Sequence, residues 1–126
     1  MAEVAHKIEL DFTTLEFFSK YVISNLKEDK SVEKEEANTL SEICTKFYET
    51  KRFVYISHRI NKCNVDPTVY ISSMPKDGQL RGIAVVAENT AALKSAKFER
   101  LFAPFEFEIF TELDDAVEWA EELLEK

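Results

Sequence analysis

An α/β fold built on one mixed β-sheet is predicted by three neighbouring segments of the sequence. An unbroken apolar run rich in β-branched residues covers 81–87, a helical stretch opens at Asn89 and ends near Phe102, and an alternating strand covers 105–110. A continuous apolar strand followed by a helix and a second strand is typical of a βαβ unit with a buried first strand. We therefore predict one domain spanning 1–126, with parallel inner strands backed by about four helices.

The chain before this unit adds strands and one long helix. Alternation of apolar and polar residues near the N-terminus has the period of a strand with one solvent-facing side. Residues 13–28 fit either an amphipathic helix or two strands, and their aromatic and β-branched content favours strands. The predicted elements are a strand from Val4 to Phe12, strands near 15–18 and 21–27, a helix from Val32 to about Thr50 capped by Ser31, and a second inner strand at Phe53–Ser57.

The remaining elements are a loop and two helices. We expect the Phe53–Ser57 and Gly82–Ala87 strands to be parallel neighbours, so that Ile83, Val85 and Val86 are buried. Residues 58–65 are polar and predict a loop. Asp66 and Pro67 have the N-cap and first-turn chemistry of a short helix, and Thr111 and Asp114 have the capping spacing of the acidic closing helix.

The excess negative charge is confined to the C-terminal quarter of the chain. Of the net charge of −8, all falls within 99–126, which holds ten acidic and two basic residues, whereas 1–98 holds fourteen of each. Such a surface repels phosphate backbones, so we expect no nucleic-acid partner. An acidic, solvent-exposed helix face that keeps the protein in solution explains the charge.

Metal, cofactor and membrane chemistry have little support in the sequence. Cys44 and Cys63 lack CxxC spacing and are expected to be thiols, and His6 and His58 lack the spacing of zinc ligands. No apolar segment approaches the roughly 20 residues of a membrane span. The N-terminus lacks the features of a signal peptide. We predict a cytoplasmic protein without metal, cofactor or membrane span.

The element order and two motifs resemble a known superfamily. The segments Arg81-Gly82-Ile83-Ala84-Val85-Val86 and 107–119, the latter with a Thr cap, an acidic turn, Ala and Trp, resemble the SpoIIAA-like branch of the STAS superfamily, whose small bacterial members are mostly uncharacterised. The resemblance implies a STAS-like mixed sheet without a cofactor or catalytic centre. It also implies a protein-binding role, because the best-known relatives bind an anti-sigma kinase and are switched by serine phosphorylation.

The phosphorylation turn of those relatives is absent from this chain. Their acceptor serine lies in an Asp-Ser-Ser/Thr-Gly-type turn, whereas the matching region, 57–68, reads Ser-His-Arg-Ile-Asn-Lys-Cys-Asn-Val-Asp-Pro-Thr. The phosphoswitch is therefore not carried over. The same branch is similar to lipid-transfer domains of the CRAL-TRIO/Sec14 type, which leaves a carrier of a lipid or an anion as the alternative function.

Candidate binding residues follow from the geometry of open α/β sheets, in which ligands sit beyond the carboxyl ends of parallel strands. That edge should hold Ser57, His58 and Arg59 from one strand, with Asn89 and Thr90 following the next. The free N–H groups of the helix that starts there could bind an anion, assisted by Arg59 or Lys62. The alternative is that Asn89 or Thr90 is only an N-cap, Ser57 a strand-end hydroxyl and Arg59 a solvated side chain.

Enzymatic activity is not predicted. Ser57 and His58 are adjacent in a strand, so their side chains point to opposite faces, and no Gly-x-Ser-x-Gly elbow occurs. We predict a non-enzymatic module that binds a protein partner. A homodimer in which the N-terminal strands or the helices beside them take part is also expected, because Lys7 and Glu9 would face opposite charges across a two-fold axis.

Overall fold

The computed structural model describes residues 4, 6–75 and 78–125. In chain order the elements are β1 (His6–Glu9), β2 (Thr13–Phe17), β3 (Tyr21–Leu26), β4 (Lys30–Val32), α1 (Lys34–Tyr48), β5 (Phe53–His58), β6 (Cys63–Val65), α2 (Val69–Ser72), β7 (Leu80–Val86), α3 (Thr90–Arg100), β8 (Glu106–Phe110) and α4 (Leu113–Glu125). The predicted mixed sheet with four helices is confirmed.

Six strands form one sheet in the order β1-β2-β3-β5-β7-β8. The strand β2 is antiparallel to its neighbours β1 and β3, and β3, β5, β7 and β8 run parallel. The predicted parallel pairing of β5 with β7 is confirmed, with Val54 opposite Gly82 and Ser57 opposite Val85. The strands β1 and β8 are the two edges of the sheet.

Helices cover both faces of this sheet. On one face α1, α2 and α3 pack over a large core that includes Leu15, Phe17 and Phe53, while α4 alone packs over Val54, Ile56 and other residues of the opposite face. The central strand β7 is therefore buried on both sides, and the side chains of Ile83, Val85 and Val86 are at most 3% exposed, as predicted. The double burial explains why that strand is an unbroken apolar run.

Two local predictions were wrong because β4 and β6, which are distant in the sequence, pair with each other. Ser31 does not cap α1, since it lies in β4, which pairs with β6 in a second, two-stranded parallel sheet. Instead α1 begins at Lys34, and the backbone N–H of Glu33 donates to Glu36 Oε1 at 3.0 Å. The predicted 58–65 loop accordingly contains the last residue of β5 and all of β6.

The helices α2 and α4 also begin at positions different from the predicted ones. Asp66 accepts hydrogen bonds from the N–H and hydroxyl of Thr68, at 3.0 and 2.8 Å, so it closes a turn before α2, which begins only at Val69. The closing helix begins at Leu113, one residue later than an N-cap at Thr111 requires. By contrast, Asn89 is the N-cap of α3, one of the two residues considered for that role, since its Oδ1 accepts from the N–H of Ala92 at 2.8 Å.

Candidate functional site

The carboxyl ends of the parallel strands carry the predicted binding residues, and their side chains leave both faces of the sheet. In β5 the side chain of Ser57 points to the face covered by α3, and that of His58 points to the face covered by α4, as expected for adjacent strand residues. Arg59, the next residue, contacts α3. His58, Arg59 and Asn89 nevertheless line one depression at this edge of the sheet, whereas Ser57 and Thr90 do not.

On the α3 side, Arg59 forms a buried ion pair with Glu99. The guanidinium donates to both carboxylate oxygens, with Nη1–Oε2 at 2.6 Å and Nη2–Oε1 at 2.7 Å. The two side chains are 4% and 1% exposed, so the interpretation of Arg59 as a solvated side chain is wrong. A two-pronged Arg–carboxylate pair of this kind is geometrically specific and holds both groups in place.

Three hydroxyl groups complete this cluster, which we call the Arg59–Glu99 cluster. Arg59 Nε donates to Ser57 Oγ at 3.0 Å, Tyr70 Oη donates to Glu99 Oε1 at 2.6 Å, and Ser95 Oγ donates to Glu99 Oε2 at 3.0 Å. Burial alone lowers the pKa of Arg59, but its hydrogen bonds and charge interactions with Glu99, together with Tyr70, raise that pKa overall. The guanidinium therefore stays positively charged, and its role in this cluster is structural.

Sequence reasoning missed Glu99, although a signal was present. Ala92, Ala96 and Glu99 follow the i, i+4, i+7 spacing of one helix face, and the structure buries Ala96 and Glu99 against the sheet. A carboxylate on a buried helix face needs a cationic partner, and Arg59 is 40 residues away in sequence. Ser57 also belongs to this cluster, because its hydroxyl oxygen accepts a hydrogen bond from Arg59 Nε.

The outward face of α3 has an unusual composition. Phe98 is 56% exposed and Leu101, which directly follows the helix, is 80% exposed. Lys94 and Lys97 are exposed on the same stripe, because positions 94, 97, 98 and 101 are spaced as neighbours along one helix face. We call these four residues the α3 outer face. Large apolar side chains that are grouped on an exposed surface are typical of a protein-binding site.

On the α4 side, a depression opens at the carboxyl ends of β5 and β7. It has a volume of about 280 Å³ and includes His58, Glu88 and Asn89 among its lining residues, together with Glu112 and the start of α4. Thr90 lies exposed at the start of α3 and is not among those residues. A second depression of about 220 Å³, lined by Arg59, Lys62, Asn89 and their neighbours, lies on the α3 side.

The interior between the sheet and the α1–α2 layer is nearly filled. Among the described residues, the apolar cavities there have volumes of only about 10 and 20 Å³. Pockets that enclose small organic ligands are typically about 300–1,000 Å³. No group of three or more His, Cys, Asp or Glu side chains within the described ranges could hold a metal ion. Cys44 and Cys63 are free thiols, as predicted.

The described part of the chain contains no helix that is both long and apolar enough to cross a bilayer.

Comparison with known proteins gives one family and one fold. The sequence model of the family described as cofilin/tropomyosin-type actin-binding protein matches residues 2–125. A search of the curated proteins found no match. Among solved structures, an uncharacterised protein with a SpoIIAA-like fold from Shewanella loihica PV-4 is similar, with 10% sequence identity, a TM-score of 0.56 and coverage of 91% of this chain and 90% of that one. The resemblance to SpoIIAA-like proteins is thus confirmed for the fold, while the matching family is a different one.

Proposed function

The chain belongs to the cofilin/tropomyosin-type actin-binding protein family, and from this premise we propose that it is a non-enzymatic, cytoplasmic module that binds actin through the α3 outer face. The observation that carries the proposal is the exposure of Phe98 and Leu101 beside Lys94 and Lys97 on one helix. A complementary partner surface has an apolar pocket bordered by acidic residues.

The charge distribution supports the choice of this helix. The only acidic residue of α3 is Glu99, and it is buried and paired with Arg59. The basic residues of α3 are all exposed, and among the described residues only Arg100 of these three forms an ion pair, with Glu108, at an Nη2–Oε2 distance of 3.7 Å. In a protein with a net charge of −8, this helix therefore presents a positive surface that attracts an acidic partner.

The attachment of α3 to the sheet also favours a binding role for the α3 outer face. Two parallel hydrogen bonds from Arg59 to Glu99 hold the last turn of the helix against the end of β5. A helix that is fixed in this way presents its outward side chains in a defined arrangement, which reduces the entropy lost on binding.

Co-sedimentation with actin filaments, together with fluorescence titration of monomeric actin, tests the proposal. We expect the wild-type chain to bind at least one form, and Phe98→Ser or Leu101→Ser to weaken binding about tenfold or more, as for residues central to an interface. Ile71→Ser is the matched control, because Ile71 is 57% exposed on α2, outside the α3 outer face. Absence of binding to either form at tens of micromolar, or equal loss in all three variants, contradicts the proposal.

Self-association through β1 is a separate proposal about partners. The strand β1 lies at the sheet edge, and Lys7 and Glu9 are exposed there. An edge strand has unpaired backbone groups that a second copy can satisfy. Sedimentation at tens of micromolar is expected to give a dimer that Lys7→Glu weakens. A single species of 14.6 kDa rules the dimer out, and a dimer unaffected by Lys7→Glu rules out this interface.

A further inference from the structure

The backbone groups that β1 leaves free at the sheet edge can be assigned from one hydrogen bond. The N–H of Leu10 donates to the carbonyl oxygen of Thr13 at 2.8 Å, and these two residues continue the register of the β1–β2 pair. In an antiparallel pair, residues that bond to the partner strand alternate with residues whose backbone groups point away from it. Ile8, two residues from Leu10, is therefore bonded to β2, whereas the N–H and C=O groups of Lys7 and Glu9 point to the open edge.

These free groups limit how a second copy of β1 can pair with the first. Within each strand they belong to Lys7 and Glu9, so an antiparallel two-fold pair sets Lys7 opposite Lys7, Glu9 opposite Glu9, or Lys7 opposite Glu9. Like charges that face each other directly destabilise a sheet, and opposite charges stabilise it. The charges therefore select the third register, in which Ile8 lies on the two-fold axis.

The charged side chains of β1 are available for this pairing. Lys7 is exposed and forms no ion pair with any described residue. Glu9 contacts Lys27, with Nζ–Oε2 at 3.1 Å, but its side chain is 73% exposed and its carboxylate can accept from a second cation. In the selected register each Glu9 lies opposite Lys7 of the second copy.

The other face of β1 is apolar and continues the core toward the sheet edge. Ile8 lies opposite the buried Leu15 and packs against the core on the α1 side. The ring of His6, on the same face, stacks on Phe47 of α1 with centroids 6.2 Å apart. At the two-fold axis the two Ile8 side chains are direct neighbours, so pairing adds apolar burial to the backbone hydrogen bonds.

We propose that two copies pair through β1 in this register, and that the resulting dimer carries two α3 outer faces and joins two actin subunits. The inference rests on the proposed self-association and, for its second part, on the proposed binding of actin. Pairing merges the two β-sheets into one, with β8 at both ends. The ion pair of Arg100 with Glu108 connects α3 to β8, so the two α3 outer faces lie at opposite ends of the combined sheet, roughly 50 Å apart for a strand spacing of about 4.8 Å.

Disulfide cross-linking tests the register. A residue on the two-fold axis faces its own copy, so Ile8→Cys in a Cys63→Ser background should give a disulfide-linked dimer on mild oxidation, and the remaining Cys44 is buried. Lys7→Cys and Glu9→Cys in the same background are the matched controls. In this register each of those positions lies about 8 Å from its own copy, beyond the reach of a disulfide.

Cross-linking at another position contradicts the register. Faster cross-linking of Lys7→Cys or Glu9→Cys than of Ile8→Cys overturns it, and equal or absent cross-linking at all three positions overturns the pairing through β1. Addition of Lys7→Glu to Ile8→Cys should remove most of the cross-linking, because it sets two carboxylates opposite each other. Undiminished cross-linking in that variant overturns the role of the charges in selecting the register.

Centrifugation of actin filaments with the Ile8→Cys dimer tests the second part. At a concentration where the reduced chain is monomeric, the oxidised dimer should bring filaments into the low-speed pellet, whereas the reduced chain should bind filaments that sediment only at high speed. The same dimer with Phe98→Ser should lose this activity. Absence of binding to filaments and to monomeric actin contradicts the proposed function. Filament binding without low-speed sedimentation, or one actin monomer bound per dimer, overturns the divalent dimer alone.

Discussion

Helices α3 and α4 lie on opposite faces of the same sheet, and they differ in which types of residue they bury and which they expose. In α4 the buried residues are apolar, Ala116, Val117, Ala120 and Leu123, and its six acidic residues are all exposed. In α3 the buried residues are Ala96 and Glu99, whereas Phe98 is exposed and Leu101 follows it into solvent. Packing explains α4 completely, but it does not explain the outward side chains of α3.

The difference shows how two helices can be attached to one sheet by different forces. Burial of apolar area attaches α4, at about 25 cal/mol per Å². The Arg59–Glu99 cluster provides the specific attachment of α3, and such a pair fixes geometry more than it adds stability. A helix attached in this way keeps its large apolar residues free for a partner. The predictions below test this contrast.

The largest expected effect on stability follows from removal of the Glu99 carboxylate. Glu99→Ala leaves the guanidinium of Arg59 buried without its carboxylate, and we expect a loss of about 3–5 kcal/mol in the free energy of unfolding. The double variant Arg59→Met/Glu99→Met removes both charges and should lose less than Glu99→Ala alone. Urea unfolding measures both. A loss below about 1 kcal/mol for Glu99→Ala would mean that the pair does not hold α3.

A smaller effect on stability is expected from adding a side chain at Gly82, where α4 lies close to the sheet. A Cβ added at Gly82 would lie 2.8 Å from Leu123 Cδ2, 3.0 Å from Trp119 Cη2 and 3.1 Å from the carbonyl oxygen of Glu106. Gly82→Ala should therefore cost about 1–3 kcal/mol through overpacking. Gly78→Ala is not a matched control, because its φ of 84° is itself unfavourable for alanine. Ala91→Gly, at an exposed position of α3, serves as a mild backbone control. Unchanged stability of Gly82→Ala would indicate that α4 packs less closely.

A pH-dependent contribution is expected from His58 on the α4 side. Its folded-state pKa is lowered by burial, so the unfolded state binds more protons as the pH falls below the unfolded value of about 6.5. Stability should therefore decrease on acidification from about pH 7 toward the folded pKa. His58→Asn should show a smaller decrease over the same interval. Identical pH profiles for the two proteins would contradict the assigned environment of the ring.

The smallest effect on stability is expected at the α3 outer face. Phe98→Ser and Leu101→Ser remove side chains that are 56% and 80% exposed, so each should change the free energy of unfolding by no more than about 0.5 kcal/mol. Phe98 does contact Phe102, with ring centroids 5.3 Å apart, and this variant should show the larger change of the two. A loss above about 2 kcal/mol in either variant would assign these residues to packing.

Local patterns were sufficient to predict the architecture. The apolar runs at 53–57 and 82–87 are inner strands, the 13–28 segment forms two strands, and Asn89 caps α3. These features depend on periodicity and on capping chemistry within a few residues, which one sequence contains in full. The β4–β6 pair was missed because each strand has only three residues and their pairing spans 33 positions.

The functional groups depend on contacts that a single sequence does not contain. Arg59 was recognised as a candidate, but its partner Glu99 lies across the sheet edge on another element. His58 was placed at the correct edge of the sheet, whereas the hydrogen bonds through Asn25 to Glu16 require the register of three strands. The exposure of Phe98 and Leu101 becomes visible only once the buried face of α3 is known.

The most direct test of the central claim is the affinity for actin after reversal of charge on α3. Lys94→Glu/Lys97→Glu changes two exposed residues of the α3 outer face, and Lys20→Glu/Lys46→Glu makes the same change in net charge at exposed positions elsewhere. The account predicts that the first variant loses about tenfold or more in co-sedimentation affinity while the second remains close to wild type. Equal affinities for the two variants would contradict it.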